Sequence, residues 1–263
     1  MALDLEGAQA GGGGAPPAAA PTIILTPMGL IYGVDLTTKP AQNWPSGGGS
    51  AVVDGKTWWA KGPASWGPPY SSLIPGEGIE VSGGAWSGYQ TYDWQGMFLP
   101  IAQLAGFNPD APLALAFRFT GSGYSGGSYV VGGMRSCAQS SAKMQSSSSY
   151  SAIRFMGTDT NIYHENSGSS DVPPLTGMQP AVGDNLWLIL RLMGRIYTPA
   201  HVPWTGALPD ELPFGPQLVN FINPRLLAPQ SATDVGFIYA RNQSSYINAR
   251  LTHVGVYQPR ASI

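Results

Sequence analysis

Across residues 111–121, APLALAFRFTG, large apolar residues alternate with small or polar ones. In an extended chain Leu113, Leu115, Phe117 and Phe119 share one face, and Ala114, Ala116, Arg118 and Thr120 share the other. Successive side chains of a strand point to opposite faces, so this period of two predicts a strand with one face of large residues. The same reading places short strands at Gly78-Ile79-Glu80-Val81, at Tyr129-Val130-Val131, over residues 151–156, where Ile153 and Phe155 face together, and at Asn161-Ile162-Tyr163-His164. Gly183-Asp184-Asn185 predicts a turn into residues 186–192, LWLILRL, a run apolar on both faces and so a central, covered strand. Residues 235–239 and 247–257 complete the set. In the last of these, Ala249 and Leu251 stand at odd positions and Val254 and Val256 at even ones; a one-residue bulge near His253 restores a single face. The expected core is Leu113, Leu115, Phe117, Phe119, Leu188, Leu190, Phe237 and Leu251, packed between two antiparallel sheets.

Helical signals are weak. Residues 100–105, PIAQLA, suit one or two turns with proline in the first position. Residues 199–229 carry seven prolines and read as a long excursion from the sheets, while residues 136–151 form a serine-rich loop. Three regions follow: an extended N-terminal arm over residues 1–34, an irregular Trp- and Pro-rich segment over 35–76, and a β-sandwich over 77–263. The arm joins a flexible glycine run, residues 11–14, to a stiff Ala/Pro stretch. Its Thr22-Ile23-Ile24-Leu25-Thr26 plug, bracketed by Pro21 and Pro27, is suited to add as a strand to an exposed sheet edge of a partner. The competing reading pairs the plug within its own sandwich. Trp44, Trp58, Trp59 and Trp66 have no regular period; they either cap a core edge or form an aromatic contact surface.

Composition sharpens this picture. Charged residues are 11% of the 263, against roughly 25% in an average soluble domain, and the 35 Gly and 24 Pro resist long helices. A 43% hydrophobic share suffices for a core. With 13 Lys and Arg, scattered, and a net charge of −2, no nucleic-acid partner is expected. No apolar run approaches the ~20 residues of a membrane span, and the first residues lack the pattern of an export signal. Neither a membrane partner nor secretion is expected. Cys137 is the only cysteine, which excludes an intrachain disulfide.

Candidate chemistry is sparse. Glycan hydrolysis needs two carboxylates roughly 5–10 Å apart. Glu77 and Glu80, three apart, are expected on opposite faces, and Asp210 and Glu211 are adjacent in a Pro-rich loop. His164, His201 and His253 lack the spacing of a zinc site, and His253 reads as a structural histidine. Cys137 has no histidine near it in sequence and reads as a spare thiol. For calcium, Asp93, Asn108, Asp110, Asp159 and Asn161 lie on expected loops, where a solvated turn is the favoured reading. The expectation is therefore no catalytic residues, no metal and no cofactor.

Three stretches carry a resemblance: APLALAFRFTG; Gly183-Asp184-Asn185-Leu186-Trp187-Leu188; and Gly236-Phe237-Ile238-Tyr239 followed by residues 248–257. Together they resemble concanavalin A-like, laminin-G-like jelly rolls over about two thirds of the chain. The Gly/Ser/Pro/Trp style and the N-terminal arm look like accessory proteins of tailed-bacteriophage virions. The resemblance implies an all-β antiparallel jelly-roll sandwich and a non-enzymatic structural protein, such as a capsid-decorating or stabilising subunit. It implies other virion proteins as partners, a major capsid protein among them, a homo-oligomer, and a virion location after synthesis in the host cytoplasm. The alternative it allows is a receptor- or glycan-binding tail appendage.

Overall fold

The computed structural model describes residues 27–44, 49–61, 71–80, 95–100, 103–108, 110–120, 129–135, 150–156, 162–166, 185–192, 195–212, 223–226, 239–241 and 250–260. The chain is all-β. In order, the strands are β1 (Met28–Asp35), β2 (Gln42–Trp44), β3 (Gly49–Val53), β4 (Lys56–Lys61), β5 (Ser71–Ile74), β6 (Gly78–Glu80), β7 (Gln95–Phe98) and β8 (Leu113–Thr120). They continue with β9 (Tyr129–Arg135), β10 (Tyr150–Met156), β11 (Ile162–Asn166), β12 (Asn185–Leu192), β13 (Arg195–Pro203), β14 (Asn223–Leu226), β15 (Tyr239–Arg241) and β16 (Arg250–Pro259). A 3-10 turn over Leu36–Thr38 follows β1, and no α-helix occurs among the described residues.

The described strands fall into three antiparallel sheets rather than the expected two. The largest runs β14-β13-β12-β8-β16-β6-β5-β2, with β1 also paired to β16. The others are β15-β7-β4-β3 and β11-β10-β9. Trp44 Nε1, on β2 of the large sheet, donates to the Trp58 carbonyl on β4 at 3.3 Å and so ties two sheets together.

The expected strand at residues 111–121 is β8, and it lies near the middle of the large sheet. Register sets Trp187 and Val254 beside Phe117, Val256 beside Leu115, and Leu251 beside Phe119. All of these are buried, as is Leu113. The register of β16 slips between Leu251 and His253, where the sequence asks for a bulge to keep Leu251 and Val254 on one face. The rings of Phe117 and Phe119 stack on this face, 6.2 Å apart.

The opposite face of β8 is buried too. Ala114 and Ala116 join Met28, Leu186, Leu188, Leu212 and Tyr257 in a second apolar layer, with Leu30, Trp204 and Leu208 packed against it. Leu188 thus belongs to the alanine face, because it pairs with Ala116, and not to the Phe117 face. Phe237 and the Leu190 side chain lie outside the described residues.

Two expected boundaries are corrected. Residues 28–34 are no part of a free arm: β1 pairs with β16 from Met28↔Pro259 to Asp35↔His253. Residues 35–76 are not irregular, because β2, β3, β4 and β5 lie within them. The sequence signal for β3 and β4 is Asp54-Gly55. Both residues have positive φ, 53° and 70°, the left-handed pair that a two-residue hairpin requires.

The Pro-rich stretch after residue 199 is likewise partly strand. Pro199 lies in β13 where its register with β12 shifts, between Leu188 and Leu190, so its missing N–H breaks no regular ladder. Pro224 lies on β14, the edge of the sheet, where proline is tolerated. Within residues 100–105, where one or two helical turns are expected, Gln103 has the 3-10 form and its N–H donates to the Pro100 carbonyl at 3.2 Å; Ile101 and Ala102 lie outside the described residues.

Candidate functional site

Leaving β13, residues 204–212 cross the alanine face of the large sheet as a strap. The face admits it because it is lined by small residues. A Cβ on Gly255 would meet the Tyr257 ring at 2.7 Å and Leu208 at 3.3 Å, and one on Gly33 would meet Leu30 at 2.9 Å and Leu208 at 3.1 Å. The strap also pairs with β1: Leu30 N–H donates to the Asp210 carbonyl at 2.8 Å and Leu212 N–H to the Met28 carbonyl at 3.0 Å, around a bridge between Gly29 and Glu211. Tyr257 hydroxyl donates to the Pro209 carbonyl at 2.9 Å, Arg260 Nη2 donates to that of Asp210 at 3.2 Å, and Arg118 Nη1 donates to that of Gly206. Burial raises the Tyr257 phenol above its ordinary range, and the Asp210 carboxylate adds to this. The hydroxyl therefore stays a donor.

At the Gly206 end of the strap, three strands bring a polar row together. Asp35 on β1 is the register partner of His253 on β16, and His253 is the partner of Arg118 on β8. His253 Nε2 lies 3.7 Å from Asp35 Oδ2, and Nδ1 lies 3.0 Å from Thr252 Oγ1. Thr252 Oγ1 in turn donates to the Arg118 carbonyl at 3.2 Å. Burial holds the imidazole below its ordinary range; Asp35 opposes that shift, and the Arg118 charge adds to it. Only His253 of this row was singled out from sequence. Arg118, the one charge in LALAFRFT, was the available signal, but its neighbours come from strands at opposite ends of the chain.

Trp44 and Trp58 are fully buried and form no contact surface; their rings are core, and the Trp44 N–H bonds to the backbone of β4. Trp59 is half-buried. Trp66 and the whole plug, Thr22, Ile23, Ile24, Leu25 and Thr26, lie outside the described residues, as do Cys137, Asp93, Asp159 and Asn161. His164 pairs through its backbone with Ile153, and His201 with Trp187. Glu77 and Glu80 do not face apart. Arg250 binds both, Glu80 at 3.2 Å, because Gly78 with φ +99° breaks the alternation between them. Asn108 Oδ1 accepts from Asp110 N–H at 3.0 Å, a local turn. Among the described residues, no cluster of three or more His, Cys, Asp or Glu could hold a metal ion. No helix among them is long and apolar enough to cross a membrane.

Fold and site together define an all-β chain whose polar side chains, where described, largely fasten strands, turns and the strap. No protein family matches the sequence, and no curated protein does. Among solved structures the chain is similar to the CBM2 module of Lactobacillus casei BL23 phage J-1 evolved Dit, at 9% identity and a TM-score of 0.42, over 91% of this chain and 100% of that one.

Proposed function

We propose that the chain is a non-enzymatic structural accessory protein of a bacteriophage virion, a capsid-decorating or stabilising subunit docked through the residues ahead of β1. The observation that carries this reading is the anchoring of β1. It is paired along its length with β16 and, at Met28 and Leu30, with the strap. A segment that enters the fold at Met28 is thus fixed to the sheet at its root, so a load on that segment passes directly into the core. The weak-charge, Gly/Pro-rich composition of residues 1–27 suits a segment that orders on a partner. The engagement of Glu77 and Glu80 by Arg250, and of Asp35 by Thr37, supports structural use of these carboxylates.

Deletion of residues 1–27 tests the reading, because it leaves β1 in place. The truncated chain is expected to melt as the full chain does and to be missing from purified particles. Normal incorporation of the truncated chain would overturn docking through this segment. Attachment to the tail with binding to a host glycan would favour the receptor-binding appendage instead.

A further inference from the structure

The strap is held at Gly206 by a side chain whose cross-strand neighbour is a histidine. Thr252 donates its hydroxyl proton to the Arg118 carbonyl, so its oxygen is left to accept from His253 Nδ1–H. That network assigns the proton to Nδ1 and leaves the Nε2 lone pair facing Asp35 Oδ2 across 3.7 Å. The other Asp35 oxygen is already committed: Oδ1 accepts from Thr37 N–H at 2.9 Å and from its hydroxyl at 2.6 Å. Two acceptors therefore face one another across a gap that a proton would bridge. The register partner of His253 on the next strand, β8, is Arg118, whose guanidinium donates to Gly206.

We propose that His253 is an acid-sensitive latch for the strap: a proton taken from solvent at Nε2 draws the ring toward Asp35 and sets a second cation beside Arg118, which loosens the strap at Gly206. Among the described residues, the groups that act on the ring are Asp35 from β1, Arg118 from β8 and Thr252 on its own strand. The 3-10 turn over Leu36–Thr38 brings no charge, and on the β6 side Glu77 and Glu80 are held by Arg250.

The sign follows from the burial of the ring. Folding lowers the affinity of His253 for a proton below its unfolded value of about 6.5. Its contribution to stability is complete above that value and is lost as pH falls from there toward the lower folded value. Acid thus acts against the closed arrangement, and the strap, with its contact to Arg118, is the element placed to yield.

Hydrogen exchange of the full chain, read by mass spectrometry over residues 204–212 and corrected for the intrinsic pH dependence of exchange, tests this. Between about pH 7.5 and about pH 5.5 the wild type is expected to lose protection there by about fivefold or more, and His253→Gln is expected to lose none. Asp35→Asn keeps a capping oxygen for Thr37 but removes the attraction for the proton. It is expected to lower the ring titration followed by NMR, leaving the onset of the loss near the unfolded value and carrying the loss of protection further at acid pH. Protection that is independent of pH in the wild type, or an equal loss in His253→Gln, would overturn the latch.

Discussion

Gly78 has φ +99°, and a Cβ added there would lie 2.3 Å from the Leu251 carbonyl oxygen, a backbone atom. Neither the dihedral nor the space suits any other residue. Gly78→Ala is expected to cost about 1–3 kcal/mol from the backbone conformation alone, and more from the clash, read as a lower denaturation midpoint. A different economy appears at two glutamines, whose side-chain amides stand in for strand backbone. Gln258 Oε1 accepts from Asn108 N–H at 2.8 Å and its Nε2 donates to the Asn108 carbonyl at 2.7 Å. Gln103 does the same to Thr57, at 2.9 and 3.0 Å. Between them they fasten residues 103–108 to β4 and β16. Gln258 is buried, so Gln258→Ala takes the partner from Asn108 N–H, while the Asn108 carbonyl keeps its bond from Ala111 N–H at 3.3 Å; a loss of about 1–3 kcal/mol is expected, with faster hydrogen exchange at Asn108.

Among the elements, β8 and the strap show what could and could not be read beforehand. The large-residue face of β8 and the bulge of β16 were legible, because a period of two, and a slip in it, are properties of one segment. Phe117→Ala is expected to cost about 3–5 kcal/mol in equilibrium unfolding, as suits a ring buried at 1% exposure. The alanine face was not legible as core, since Ala114 and Ala116 owe their burial to a strap from residues 204–212 that proline content alone marked as an excursion. For the same reason the Asp35–His253–Arg118 row was hidden: it depends on the register of β1, and residues 28–34 read as arm because the glycines and prolines ahead of them dominate the local pattern. Asp54-Gly55 was an unused signal for the hairpin of β3 and β4, without which Trp44 and Trp58 stood open as surface. Tyr257→Phe is expected to leave the sheet intact while raising exchange in residues 204–212, because only the bond to Pro209 is lost.

For the molecule as a whole, the first and last of the described strands, β1 and β16, are paired side by side. A deletion of residues 1–34 is therefore expected to lower the melting temperature sharply, where deletion of 1–27 does not, since the longer cut strips β16 of a neighbour. The same pairing has a consequence for synthesis. At roughly 5–20 residues per second, the ribosome needs on the order of 10–50 s to carry the chain from Met28 to its partner Pro259. Once Thr120 has been added, β1, β6 and one edge of β8 have been made, and until β16 follows they lack the strand that pairs with all of them. Open strand edges recruit other chains. Nascent chains released before residue 250 are accordingly expected to aggregate rather than to fold in part, and the addition of β16 is the step that joins β1, β6 and β8 in the large sheet.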